Sequence, residues 1–529
     1  MAEKADDIFK EFKEHSISEF FNKNRQMLGY SSKVRALTTV VHEYVTNSLD
    51  ALEEAQALPS ITVRLDRIDE AKYRVIVKDN GPGIPKGFVG KALATVLAGT
   101  KFHRNMQQRG QQGIGAAGCT LFAQATTGKP VHVTSSTGDK AYECDVAIDT
   151  LHNKPILSNV ADIDTAKVPQ GLSVRGEFGG VKYDSSDHSV FEYLKRTAIA
   201  NPHAEITFID PDGGEHTFMR AVDALPERPK IAKLHPLGLS VSDLFEMAHS
   251  SQSGRVTSFL VDTFARFSQD KANEVKDTLK DIDFAKGPKE LTWNECERMV
   301  ATFKSMRWIS PDATHIVPIG EERIEAALQN ILSPESLHVI ERKPKVFSGG
   351  FPFVVEAAIA YGGGSGRKVE GGYTGVIMRF ANRVPLLFDS GSCAITEAAK
   401  SVDWRRYGMD LDSQAVSVFV NVSSVYIPYS GVGKESIAQE DDIIDEIKLA
   451  LMDAARGVQR FISNKEHTKE YEGKYKTVMR YTSQLSQDLA SITGRSKEGI
   501  EERLEKLVAK QYKKEDKDEG GGSDGKDNG

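Results

Sequence analysis

The stretch Glu43-Tyr44-Val45-Thr46-Asn47-Ser48-Leu49-Asp50-Ala51 constrains the fold of this chain more than any other. Glu43, Asn47 and Asp50 fall at i, i+4 and i+7, so a helix presents all three on one face. Leu37, Val41, Tyr44, Val45 and Leu49 share the helical period and predict a buried face beside it. A carboxylate, an amide and a second carboxylate on one wall can activate a water, ligate a hard cation and hold a loop. Taken alone, the nonapeptide reads equally as a solvated polar face. The decision comes further along, where Asp79-Asn80-Gly81-Pro82-Gly83-Ile84 directly follows an apolar strand.

A chain of 529 residues exceeds a single core, and the usual domain size predicts about three to four domains. With 40% hydrophobic and 27% charged residues it reads as globular. No apolar run approaches the ~18 residues of a membrane span. The mostly charged Ala2 to Asp7 is followed by no apolar signal-peptide core, so neither a membrane span nor a signal peptide is expected. Cys119, Cys144, Cys296 and Cys393 are scattered with no CxxC pair, which argues against zinc and disulfides and fits a reducing cytoplasm. A net charge of −7 does not advertise a nucleic-acid binder, so any DNA contact must be local.

Residues 1–30 read as an amphipathic arm with Ile8, Phe9, Phe12, Phe20 and Phe21 as apolar anchors, either a frayed terminus or a strap that docks on something. Ile61 to Leu65 and Tyr73 to Val77 alternate as strands. The glycine loop Gly110-Gln111-Gln112-Gly113-Ile114-Gly115-Ala116-Ala117-Gly118 then opens an apolar helix, offering free N–H groups and a favourable dipole to phosphate. Such a loop is by itself a weak signal. Val131 to Ile148 predicts a hairpin, and more strands follow at Ser173 to Phe178 and Glu205 to Phe218, the last turning at Asp210 to Gly214. The linker Pro226 to Pro236 leads into a helical block over 237–308, with starts at Ser240 and at the capping box Thr292 to Glu295. Strands return at Val354 to Tyr361, Gly375 to Leu387 and Val416 to Val422, with a helix around Ala394 to Ser401. The loop Pro428 to Ser436 is expected to open a long helix from about 435, with helical pattern to about Gln511 and a disordered charged tail beyond.

Three boxes thus occur in order: Glu43 with Asn47, then Asp79 to Gly83, then Gly110 to Gly118. Asp79 is a fixed acceptor for an exocyclic amine, and Gly81 and Gly83 let the backbone approach a flat base. Asn47 offers an amide oxygen to Mg²⁺, and Glu43 stands one turn away to polarise a water. No Walker A string competes. The set resembles the ATP site of the GHKL superfamily and, within it, the B subunits of archaeal type IIB topoisomerases. The resemblance covers about 1–470, through the three boxes, the helical block, R-F-A-N-R-V-P-L-L at 379–387, D-W-R-R-Y-G at 403–408 and P-Y-S-G-V-G-K-E-S-I-A ending at Ala438.

The resemblance implies an α+β multidomain chain. Residues 1–30 would be the strap, 31–235 a Bergerat-type α/β sandwich ATPase domain and 236–308 a helix–two-turns–helix insert. A transducer with a long helix would occupy 309–470, a helical region contacting the A subunit 471–511, and the tail 512–529. It implies ATP and Mg²⁺ as cofactors, with Glu43 and Lys434 catalytic, Lys434 reaching the γ-phosphate. Nucleotide contacts would come from Asn47, Asp79, Gly81, Gly83, Thr100, Lys101, Gly110, Gln111, Gln112, Gly113, Ile114, Gly115, Ala116, Ala117 and Lys434. DNA contacts would come from Trp404, Arg405, Arg406, Tyr407, Arg367 and Lys368. The partners implied are a DNA-cleaving A subunit in an A2B2 heterotetramer, a second copy bound in the presence of ATP, and double-stranded DNA. Three departures stand out: Leu172 follows Gly171 where relatives often carry Thr, Ala116-Ala117 replaces a lysine found in some, and Arg405 stands where Lys is usual. A chaperone-like ATP clamp would lack the block 237–308, and a sensor kinase requires a histidine-bearing helix pair ahead of Glu43.

Overall fold

The computed structural model describes residues 23, 25–26, 29–96, 106–110, 113–347, 349–431 and 433–519. The strap residues up to 22, and Thr100, Lys101, Gln111 and Gln112, lie outside them. The chain divides into two compact units, 1–455 and 456–529.

Helix α1 (Lys33–Glu54) starts at Ser32, whose Oγ accepts a hydrogen bond from the Arg35 N–H. Its predicted apolar face is buried: Leu37, Val41, Tyr44, Val45 and Leu49 are all at most 4% exposed. At about 1.5–3 kcal/mol per fully buried large aliphatic side chain, that face fixes the helix against the sheet. Strands β1 (Ser60–Asp69) and β2 (Lys72–Asp79) pair antiparallel, bringing Ile61 opposite Asp79. After α2 (Val89–Ala94) and α3 (Gly115–Thr127) come β3 (Val131–Ser136), β4 (Ala141–Asp149), β5 (Lys154–Ile163) and β6 (Gly171–Gly179). Helix α4 (Val190–Ala200) leads to β7 (Glu205–Ile209) and β8 (Glu215–Phe218). The eight strands run β5-β4-β3-β6-β2-β1-β7-β8, and α1, α3 and α4 contribute to one core with them. Both predicted hairpins form. Strand β5 was not expected; it is a mostly exposed edge with no alternating apolar pattern.

The helical block holds α5 (Val241–Ser250), α6 (Val256–Thr263), α7 (Gln269–Thr278) and α8 (Trp293–Ser305) around its own core of Leu244, Phe259, Phe264 and Phe303. Capping boxes form at both expected starts, Ser240 with Asp243 and Thr292 with Glu295. Helix α9 (Glu321–Leu332) follows, with β9 (Ser336–Glu341), β10 (Lys345–Phe347), β11 (Phe351–Tyr361), β12 (Arg367–Val369), β13 (Gly372–Thr374), β14 (Val376–Ala381) and β15 (Val384–Pro385). Then come α10 (Ala394–Lys400) and β16 (Val416–Ser424). Strands β10-β11-β16-β14-β15 form the second sheet, with β9 also on β11, while β12 and β13 make a separate ribbon. Helix α9 packs on this sheet through Ile324 and Leu328, beside Ile199 and Ala200 from the end of α4.

The long helix α11 spans Asp441–Thr493, so it begins six residues later than expected. Lys434 takes a left-handed conformation (φ 53°) and Tyr429 bridges to Ile437, which closes the preceding loop on itself and keeps it out of the helix. In the second unit the helix stops at Gly494 (φ 68°), and α12 (Lys497–Glu519) follows. The tail expected to be disordered from 512 is therefore helical through Glu519.

Candidate functional site

One cavity of about 640 Å³ is walled by α1, the glycine turn that follows β2, the N-terminus of α3 and the loop around Lys434. It gathers Glu43, Asn47, Asp79, Gly83, Gly110, Gly113, Ile114, Gly115, Ala116, Ala117 and Lys434 on one surface. Gly81 stands just behind it, buried, its N–H donating to Asp79 Oδ1 at 2.9 Å.

Asp79 is 6% exposed and held by three donors. Ser48 Oγ donates to Oδ2 at 2.5 Å, and the N–H of Leu172 donates to Oδ1 at 3.1 Å beside that of Gly81. A carboxylate so fixed presents its remaining acceptor positions to the cavity in one orientation. Two glycines set the shape of the wall. Gly83 has φ 69°, and a Cβ there would lie 2.4 Å from the Ser136 carbonyl oxygen. At Gly115 a Cβ would sit 1.8 Å from Glu43 Oε2. The first turn of α3 begins after Ile114, which makes no side-chain cap, so its leading N–H groups face the cavity uncapped.

Burial pushes the Glu43 carboxyl up to about 7, with Lys434 opposing the rise. Burial lowers the Lys434 ammonium, and Glu43 and Asp50 pull it back up. Burial, joined by Lys434, takes His42 down to about 4, so it stands neutral beside them at pH 7. A carboxyl poised near neutrality with a cation nearby is suited to accepting a proton from water. The Lys434 ammonium also lies 5.9 Å from the Tyr429 ring centroid.

Asp50, the second carboxylate of that face, holds the glycine loop through Arg109, whose guanidinium donates to it at 2.8 Å. Arg109 also binds Glu53 at 2.6 Å and Asn201 at 2.6 Å. Behind Lys434, burial pushes the Glu435 carboxyl up to about 7, opposed by Arg35, which lies 3.8 Å away and forks onto Asp389. The sequence reading missed Ser48, Arg109 and Glu435. Each adjoins a residue it did single out (Asn47, Gly110, Lys434), and adjacency to a box was the available signal.

The family described as "Histidine kinase-, DNA gyrase B-, and HSP90-like ATPase" matches residues 32–149, and "Topoisomerase VI B subunit, transducer" matches 311–474. The B subunit of type 2 DNA topoisomerase 6 from Pyrococcus horikoshii is 42% identical over 553 residues, covering 96% of this chain and 97% of its own. The protein of the same name from Methanothermobacter thermautotrophicus is 43% identical over 514 residues, covering 96% and 98%. The chain belongs to the B-subunit family of type 2 DNA topoisomerase 6. The ATPase region of Saccharomyces cerevisiae topoisomerase II is a distant likeness, 10% identical at a TM-score of 0.40 over 86% of this chain and 99% of that one.

As a member of this B-subunit family, the chain is an α+β multidomain protein with a GHKL ATPase domain and a transducer, and the chaperone-like and sensor-kinase alternatives are not favoured. Among the described residues no helix is long and apolar enough to cross a membrane. The residues expected at DNA divide in two. Trp404 and Tyr407 are buried at 8% and 5%, and the Trp404 indole donates to the Ala399 carbonyl at 2.9 Å. Both rings belong to the core side of the short 3-10 turn Trp404–Tyr407. Arg405 and Arg406 of the same turn are exposed, as are Arg367 and Lys368 on β12. Arg367 is ion-paired with Asp187. All four free cysteines are buried, in keeping with the absence of disulfides among the described residues.

Proposed function

We propose that this chain is the ATP-binding and ATP-hydrolysing subunit of a type IIB DNA topoisomerase, acting in the cytoplasm with a DNA-cleaving A subunit. The observation that carries the reading is the convergence of Glu43, Asp79 and the α3 N-terminus with Lys434, some 300 residues further along the chain, on one cavity. On this reading 31–235 is the ATPase domain, 236–308 the helix–two-turns–helix insert, 309–470 the transducer, and 471–511 the region that meets the A subunit.

Asp79 takes the adenine amine, oriented by Ser48 and by the N–H groups of Gly81 and Leu172. Leu172 supplies its backbone, so the loss of a threonine hydroxyl leaves the Asp79 cradle intact. The uncapped N–H groups of α3 and the glycines before it receive the phosphates. Glu43 accepts the proton of the attacking water, and Lys434 neutralises charge on the γ-phosphate. Thr100, Lys101, Gln111 and Gln112 complete the nucleotide contacts.

The donor set suits Mg²⁺. Asn47 exposes its amide on the cavity wall, and among the described residues no group of three His, Cys, Asp or Glu is placed to cage an ion. Asn47 would hold Mg²⁺ there through its amide oxygen, and the ion would neutralise phosphate charge.

ATP binding brings two copies together in an A2B2 assembly that captures a duplex, and deletion of the strap 1–30 is expected to impair that pairing. ATP hydrolysis by the isolated chain, measured with and without duplex DNA, tests the reading. Stimulation by DNA, and ATP-dependent relaxation of supercoils once an A subunit is added, are expected; turnover indifferent to DNA overturns it. Sedimentation is expected to show a monomer alone and a dimer with a non-hydrolysable analogue, and an unchanged mass removes the strap from the scheme.

A further inference from the structure

The turn between β14 and β15 is made of Asn382 (φ 48°) and Arg383 (φ 67°), two successive non-glycine residues in the left-handed region. Antiparallel pairing of Ala381 with Val384 makes it a two-residue hairpin turn, where Asn-Gly is the ordinary solution. Arginine in the second position is disfavoured by its Cβ, and the surroundings hold it there. The Arg383 N–H donates to Asn421 Oδ1 at 3.1 Å, and its carbonyl accepts from Asn201 at 3.2 Å. Asn382 exchanges side-chain hydrogen bonds with the Ser424 backbone, both at 2.9 Å. Strain persists where the surroundings over-determine it, and such positions cluster at active sites, ligand clamps and switch regions.

The Arg383 side chain leaves the second sheet for the nucleotide side. Its guanidinium stands 3.7 Å from Glu53 Oε1 on α1 and donates to the Val317 carbonyl at 3.2 Å. Glu53 is the carboxylate gripped by Arg109, and it also meets His203 at 2.9 Å. Burial alone would raise the Glu53 carboxyl, but Arg109, His203 and Arg383 hold it well below the usual range. Two guanidiniums, Arg109 and Arg383, thus face two carboxylates, Asp50 and Glu53, with little access to water. The residues just before Arg109 make the same crossing. Gln107 binds the Val317 backbone reciprocally at 3.0 and 2.7 Å, and Asn382 donates to the Gln108 carbonyl at 3.3 Å.

Arg109 directly precedes Gly110, and Asp50 lies one turn beyond Asn47. The balanced quartet therefore connects the β14–β15 turn to both phosphate-facing walls of the cavity. A buried group of this kind has no slack in charge, because displacing one member leaves another uncompensated. We propose that Arg383 is a positioning residue for the nucleotide site, setting through Glu53 and Arg109 where the Gly110 loop stands relative to α1. The inference rests on the ATPase reading above and adds a residue of the second sheet to it.

The test measures affinity for a non-hydrolysable ATP analogue and steady-state ATPase kinetics for the full chain and for Arg383→Gln and Arg383→Lys, at a temperature where each is folded by circular dichroism. Arg383→Gln is expected to weaken analogue binding about tenfold and raise KM to match, with kcat at saturation within about threefold, since no reacting group is touched. Arg383→Lys keeps the charge and should recover part of the affinity. A loss confined to kcat, or affinity within twofold of wild type in Arg383→Gln, overturns the proposal. Should that variant fail to fold, the wild type decides. Coupling is reciprocal, so the Asn382 and Arg383 amides are expected to exchange hydrogen at least tenfold more slowly with analogue bound, and unchanged exchange overturns the proposal. Wild type that binds no analogue removes the ATPase reading and this inference with it. Wild type that binds, beside an indifferent variant, removes the inference alone.

Discussion

Charged side chains on the α1 wall and on the β12–β13 ribbon live in opposite surroundings. On α1, Glu43, Asp50 and Glu53 are drawn into the protein: Asp50 pairs with Arg109, Glu53 with Arg109 and Arg383, and Glu43 feels the Lys434 charge. On the ribbon, Arg367 and Lys368 stand in water, and Arg367 meets Asp187 on the surface. Burial makes the first group's protonation states and geometry dependent on one another. Exposure leaves the second group almost independent of its neighbours. The contrast teaches where sequence spacing carries chemical meaning: a buried charge restricts which partners can surround it, and an exposed one restricts very little.

Glu43→Ala should break the buried side most completely. Turnover is expected to fall by about 10²–10⁴-fold with analogue binding retained, measured by phosphate release and by equilibrium binding; equal turnover rejects the base. Lys434→Ala comes next, with a loss of about 10²-fold from a missing charge stabiliser. It also sharpens the pairing through pH. Glu43 must be ionised to accept a proton, so kcat/KM should rise as pH climbs through about 7. Lys434 holds that carboxyl down, so its removal should move the limb to higher pH, and an unmoved limb would separate the two residues.

Away from the cavity the effects on turnover shrink. The Trp404→Ala variant should lose about 3–5 kcal/mol of stability, as for a large buried aromatic, and Trp404→Phe should leave DNA affinity unchanged in a filter or anisotropy assay. Changing Arg405 and Arg406 together to Ala should weaken DNA binding across sequences, lowering the salt slope by about 2 if both touch phosphate. Arg367→Ala is the smallest, with at most about 1 kcal/mol expected in denaturant unfolding from a surface pair.

The same contrast explains what could be read in advance. The apolar period of α1, the alternation in β1 and β2 and the two capping boxes follow from local rules, and all of them formed. Glu43, Asn47 and Asp79 were legible because one helix face and one strand end fix them. Arg109 was not, since its partners Asp50, Glu53 and Asn201 are 59, 56 and 92 residues away. Strand β5 was missed because an exposed edge has no apolar alternation to betray it. The burial of Trp404 and Tyr407 was not legible, because arginines between two aromatics look alike whether the rings face solvent or the core.

The absence of a side chain at position 115 bears on how an inhibitor of this site would age. Any residue larger than glycine there would drive a Cβ to 1.8 Å from Glu43 Oε2. A compound that presses on this backbone therefore meets a surface whose substitution would push the Glu43 carboxylate from its place. Escape is steered to positions such as Leu172, whose service to Asp79 is an N–H that every residue but proline retains. Molecules anchored on Gly115 and kept clear of the Leu172 side chain should give resistance the fewest routes.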